Sequence, residues 1–282
     1  MSDLLLWNGA TILLWGICWG LLCLGLCLGG LGRAPGPVGL TALVCALRAG
    51  TTVWPSWYFW SDMLGLKLPA AWKKILYYSF DATQEVLALL LLVGIVYGLR
   101  WVTPAEVGLR KPRPGSGWPV VPVVVAVAAA TVLDAYLTRQ NIPVLGWSQR
   151  FFVATLPGLA EELFYRGVLL GLLSRAFARR LWLPGARTSW GGVVTVILFA
   201  LAHGLKSQAY LMARMPASNH HVSLAGWYYW LPLWRSSAAD QLYYLMRGTL
   251  FLWVRERTGS VWGAVGSHCL LNTSILLGSG LG

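Results

Sequence analysis

Charge is what this sequence has least of. Only 11% of its 282 residues are charged, and 10 acidic residues stand against 22 basic ones. A soluble domain carries about 25% charge, so a chain this long could not solvate a water-exposed surface with so few. An ordinary soluble enzyme and a disordered chain are both excluded. Cysteine is sparse as well: the five residues form no C-x-x-C pair, which excludes zinc-ribbon and thioredoxin-type chemistry and a disulfide-stapled module. Those in apolar stretches, such as Cys18 and Cys45, read as small hydrophobes. The N-terminus lacks the basic segment of a cleavable signal, having Asp3 instead, and its apolar run Leu4–Leu31 is too long for one. There is no internal repeat and no H-E-x-x-H. The net charge of +12 is dispersed in short clusters between apolar runs, which argues against a nucleic-acid partner.

What is present is apolar. Hydrophobic residues make up 57% of the chain, with 17 Trp and 32 Gly and a mean hydropathy of +0.61. These values predict an all-α, polytopic membrane helix bundle. A spanning helix needs about 20 mainly apolar residues. Eight stretches qualify: Leu4–Leu31, Leu40–Trp60, Ile75–Leu99, Trp118–Leu137, Phe151–Leu173, Trp190–Leu205, Ala238–Val254 and Val261–Leu277. The aromatic segment Val222–Trp234 is short for a span and reads as interfacial or re-entrant. The Pro/Gly-rich stretch 110–117 reads as a linker between N-terminal helices (1–109) and a C-terminal core of five spans (118–282). Eleven basic residues fall in the connections after spans one, three, five and seven, and eight in the alternate ones. The positive-inside rule then places both termini outside the cytoplasm. The composition suggests a bacterial cytoplasmic (inner) membrane.

The informative residues are ionisable groups inside spans. The fifth span contains Glu161-Glu162-x-x-x-Arg166. Each such group costs about 2.5–3.5 kcal/mol at a helix centre on insertion scales, so all three must face a protein-lined interior and find partners. Glu162 and Arg166 are i,i+4 neighbours and predict an ion pair. Glu161 points about 100° away, which leaves that carboxylate for chemistry. His203 ends the sixth span, and His268 and Asn272 share one face of the eighth. A carboxylate and an imidazole can polarise a water, while a second imidazole and an amide can bind a developing oxyanion. Asp134, Asp240 and Arg247 read as span-end or packing residues.

These three motifs resemble the signatures of the CPBP (CAAX protease and bacteriocin-processing) family, whose intramembrane endopeptidases include the eukaryotic enzyme that removes the last three residues of prenylated proteins. The resemblance covers roughly Trp118–Leu277. It implies that Glu161 is the general base, aided by His203, that His268 and Asn272 form the oxyanion hole, and that Glu162 with Arg166 shapes the site. A zinc ion on Glu161, His203 and His268 is chemically possible. The metal-free reading, with no cofactor, is favoured because a glutamate-activated water needs none. The implied partners are the lipid bilayer and a membrane-anchored protein or peptide substrate. The alternative function is a non-catalytic scaffold or immunity-type protein whose polar network only holds helices together.

Overall fold

The computed structural model describes residues 34–53, 85–138, 146–213 and 230–281. The elements run α1 (Pro35–Val53), α2 (Glu85–Gly98), α3 (Pro104–Val107), α4 (Gly117–Leu137) and α5 (Trp147–Glu162). A π-helical turn (Leu163–Leu169) joins α5 to α6 (Leu170–Ala176) without a break. A two-stranded antiparallel hairpin follows, β1 (Leu181–Leu183) and β2 (Ala186–Thr188). Then come α7 (Trp190–Ala213), α8 (Trp230–Thr258) and α9 (Val261–Leu281).

The chain is mainly helical, as the composition predicts. Of the described helices, α4 alone is both long and apolar enough to cross a bilayer by length and composition. It runs for 21 residues, and only 22% of its apolar window is buried. Val121, Val125, Leu133 and Leu137 face outward, a large apolar face of the kind that marks a lipid or partner surface. The other long helices are interrupted by polar groups that face one another. The predicted first span, Leu4–Leu31, lies outside the described residues, as do residues 222–229 of the predicted interfacial segment. Residues 230–234 of that segment begin α8 and are helical. Helices α7 and α8 both run further than their apolar stretches suggested. The hairpin was not foreseen, although Pro184-Gly185 is a turn dipeptide.

Four connections converge on one end of the bundle. In α3, Thr103 and Glu106 form a reciprocal capping box, with Glu106 Oε2 accepting from Thr103 N at 2.8 Å. Glu106 also receives two 2.7 Å bonds from Arg175 at the end of α6. Arg110 Nε donates to Gly259 O (2.8 Å) and Arg113 N to Thr258 O (2.9 Å), holding the stretch before α4 against the α8–α9 turn. Glu256 of α8 accepts from Thr188 and pairs with Arg179. At the same end, Val38 of α1 packs on Leu173 of α6. Four exposed tryptophans surround this end: Trp118, Trp190 and Trp262 in the first turns of α4, α7 and α9, and Trp182 in the hairpin. Basic residues beside a tryptophan girdle are what a membrane–water interface selects.

The core lies between α5–α6, α7, α8 and α9, around Phe164, Phe199, Phe251 and Leu271. In lipid, apolar burial gives helices little reason to associate, so close packing and polar contacts must hold them. Two glycines permit close approaches around the motifs. A Cβ at Gly158 would stand 2.9 Å from Cys269 Sγ and 3.4 Å from His268 Cβ, so α9 lies against α5 where the motifs face each other. A Cβ at Gly248 would stand 3.1 Å from Arg166 Nη2, and its absence lets Arg166 reach the α8 backbone.

Candidate active site

Glu161 and Glu162 are adjacent in sequence, yet they occupy different environments. Glu162 is fully buried, and its Oε1 accepts from Arg166 Nη1 at 3.2 Å and from His268 Nδ1 at 2.8 Å. Arg166 is also fully buried. Its Nη2 donates to Gly248 O at 2.8 Å, and its guanidinium lies 4.5 Å from the Phe199 ring centroid. The predicted Glu162–Arg166 pair is therefore present, and it ties α5 to both α8 and α9. The π-helical turn begins directly after Glu162. Such a turn is a common mark of a functional site, and here the Arg166 carbonyl accepts from Arg255 Nε at 3.2 Å.

Glu161 faces the histidines. Its Oε2 lies 3.3 Å from His203 Nε2 and 3.9 Å from His268 Nε2. Its side chain keeps 15% of its surface exposed and that of His203 20%, while Glu162 has none. The ring tautomers follow from the partners. His203 Nδ1 sits 2.9 Å from Phe199 O, and a carbonyl only accepts, so Nδ1 carries a proton, and in the neutral ring Nε2 is the acceptor that faces Glu161. A carboxylate and an imidazole nitrogen this close can both accept from one water placed beside them, which is the arrangement water activation requires. His268 is held by its bond to Glu162 and by stacking on Phe251, with ring centroids 4.6 Å apart.

Asn272 stands one turn beyond His268. Its Nδ2 donates to Val153 O at 3.4 Å, and its Oδ1 accepts from Arg247 Nη2 at 3.2 Å. Val153 has a spare carbonyl for a reason written in the sequence. The residue four places on is Pro157, which has no N–H to close the helical bond. Five of the six residues singled out from the sequence thus meet in one network, and Asn272 is linked to it through Arg247 and the Phe251 ring that stacks on His268. Arg247, read there as packing, joins it, and nothing local distinguishes it because its partner lies 25 residues away on another helix. Asp134 lies near the end of α4, away from this cluster. The side chain of Asp240 lies outside the described residues. Among the described residues no three His, Cys, Asp or Glu side chains are grouped as a metal-ion site.

Counted along the chain from the basic end of each helix, Glu161 lies about 15 residues in, His203 about 13, Asn272 about 11 and His268 about 7, so the site is well inside the bundle, roughly 10–20 Å from that end. A peptide bond cleaved here would have to enter the helix bundle. No curated protein and no solved structure matches the chain. A family model does, over residues 143–274, a segment that holds all three motifs and leaves α1 to α4 outside. That segment matches the model described as type II CAAX prenyl endopeptidase Rce1-like, the family that the three motifs resemble.

Proposed function

We propose that the chain is an intramembrane endopeptidase that hydrolyses a peptide bond near the membrane anchor of a protein substrate, with Glu161 as general base. The observation that carries this reading is the division of labour between neighbouring carboxylates. Glu162 is committed to Arg166 and His268, whereas Glu161 meets His203 at 3.3 Å in a partly accessible position. In this reading a water bound beside Glu161 and His203 and donating to both loses a proton to Glu161 as its oxygen attacks the scissile carbonyl. The tetrahedral oxyanion receives hydrogen bonds from His268 Nε2 and Asn272 Nδ2. The proton then passes to the leaving amine as the C–N bond breaks. For Nε2 of His268 to donate while Nδ1–H stays on Glu162, the ring acts as an imidazolium, and Glu161 and Glu162 together balance its charge and that of Arg166. The match of residues 143–274 to a CAAX prenyl endopeptidase model supports a CAAX-type substrate, a lipidated C-terminal peptide.

The test is cleavage of a farnesylated fluorogenic CAAX-type peptide by the full-length protein and by Glu161→Gln and His203→Ala. Both variants should insert and accumulate normally. Each should lose at least about 100-fold in kcat, the scale of positioned acid–base catalysis. Activity surviving Glu161→Gln would sink the assignment. The reaction is written without a metal, and stoichiometric zinc in active, purified protein would overturn that part.

A further inference from the structure

The proposed reaction, on which this inference rests, needs Asn272 to present Nδ2, not Oδ1, to the oxyanion. An asparagine amide has no intrinsic bias between the two, so something must set its orientation. Arg247 does so from α8. A guanidinium is donor-only, so with Nη2 at 3.2 Å only Oδ1 can face it. On the opposite side the Val153 carbonyl only accepts, so Nδ2 faces that way at 3.4 Å. A contact that long is weak and easily exchanged for a better acceptor.

Arg247 also differs from the other arginines at this depth. Arg48 meets Glu85 at 3.1 Å and Arg166 meets Glu162 at 3.2 Å. Arg247 is only 8% exposed, and its partners among the described residues are neutral: the Tyr243 hydroxyl, the Asn272 amide, and the rings of Tyr243 and Phe251. Its Nε is buried with no hydrogen-bond partner among the described residues. A buried charge without a counter-ion is costly, and a neutral side chain would hold two helices together at lower cost. The cost is accounted for if negative charge arrives during the reaction.

We propose that Arg247 is a positioning residue for hydrolysis: it fixes the Asn272 amide with Nδ2 toward the scissile carbonyl, and its uncompensated charge favours the oxyanion through that amide. The competing idea is that Arg247 anchors the free α-carboxylate of the substrate. Three extended residues beyond the scissile bond reach about 10 Å, whereas Arg247 touches the oxyanion donor itself.

The experiment uses full-length protein in detergent and the farnesylated CAAX-type peptide, made both as the free acid and as the C-terminal amide. Arg247→Met should lower kcat roughly 30–100-fold, near the low end for losing an oxyanion-hole donor, with KM changed less than about 2-fold on either peptide. Arg247→Lys, which keeps a charged donor, should recover to within about 5-fold of the parent. Adding Arg247→Met to Asn272→Ala should slow the enzyme no further, because both act through one amide. The unfolding temperature of Arg247→Met should not fall. The proposal is overturned if KM rises for the acid peptide alone, which would mark a carboxylate anchor. It is also overturned if the double variant is additive, or if the unfolding temperature drops and Lys fails to rescue. Should Glu161→Ala abolish cleavage while Arg247→Met cleaves like the parent, only this inference fails. Cleavage by Glu161→Ala would remove the peptidase reading beneath it.

Discussion

Glu162 and His268 share a 2.8 Å hydrogen bond that links α5 to α9 across 106 residues of sequence. Because Arg166 donates to the same oxygen, one carboxylate neutralises a buried guanidinium and orients an imidazole together. Removing its charge should therefore damage the fold, whereas removing the charge of Glu161 should not.

That difference is the first prediction. Glu162→Gln strands Arg166 in a fully buried position, and breaking a buried pair by losing one partner costs about 3–5 kcal/mol. Its unfolding temperature should fall well below that of Glu161→Gln, and both should be inactive. Glu162→Gln combined with Arg166→Met should recover much of the stability and none of the turnover. Equal unfolding temperatures for the two single variants would contradict the assignment.

The part of this network legible in the sequence is the part that membrane energetics makes conspicuous. Glu161, Glu162 and Arg166 stand out because charge inside an apolar helix demands partners, and i,i+4 spacing pairs two of them correctly. The i,i+4 spacing also puts His268 and Asn272 on one face. What spacing could not show were contacts between helices. Arg247 has no periodic neighbour that reveals its tie to Asn272. The Gly248 carbonyl under Arg166 has no side chain to announce it. Pro157 removes one helical N–H wherever it stands, but that the carbonyl it frees serves Asn272 depends on where α9 packs. The π-helical turn after Glu162 has no signature in residue type. Span ends were misplaced at α7 and α8 because both helices continue past their apolar stretches.

Gly158 gives the second prediction. The Cβ of Gly158→Ala would meet Cys269 Sγ at 2.9 Å and the Cys269 backbone nitrogen at 3.2 Å. The sulfur can move and the backbone cannot, so α9 must shift away from α5. Overpacking of this kind costs about 1–3 kcal/mol. Because His268 precedes Cys269, the shift should also lengthen its contacts with both glutamates and reduce kcat more than KM. Adding Cys269→Ala should restore part of the stability. A fully active, fully stable Gly158→Ala would mean that the two helices do not approach as closely as described.

The third prediction concerns pH. The bidentate Arg175 guanidinium, aided by the Thr103 capping contacts, lowers the Glu106 carboxyl from its ordinary 4.5 to about 2. A carboxylate with a depressed folded-state pKa contributes stability above its unfolded value and loses it as pH falls. The contribution is thus complete above about pH 4.5 and fades toward pH 2. Both side chains are about one-third exposed, so salt should weaken the effect. Thermal unfolding between pH 7 and pH 3 should show a smaller acid-induced loss in Glu106→Gln than in the parent, and high salt should narrow the gap. Identical pH profiles would show that the pair contributes nothing.

The last prediction is topological, and it follows from which residues meet at one end. Arg110, Arg113, Arg175, Arg179, Arg255 and Arg257 all bond within the cap formed by α3, the hairpin and the α8–α9 turn. The exposed tryptophans Trp118, Trp182, Trp190 and Trp262 surround that cap. Positive charge is retained on the cytoplasmic side, so this end should face the cytoplasm. Helix α4, with 21 residues, is about 31 Å long at 1.5 Å per residue and matches a hydrocarbon core of about 30 Å. Lys111 lies before it and Thr138 directly after it, and both are exposed. In intact cells an impermeant thiol reagent should label Thr138→Cys above the parental background and leave Lys111→Cys unlabelled. Inverted membrane vesicles should give the opposite result. Labelling of both from one side would mean that α4 does not cross. The reverse pattern would place the basic cap outside and overturn the orientation inferred from its charge.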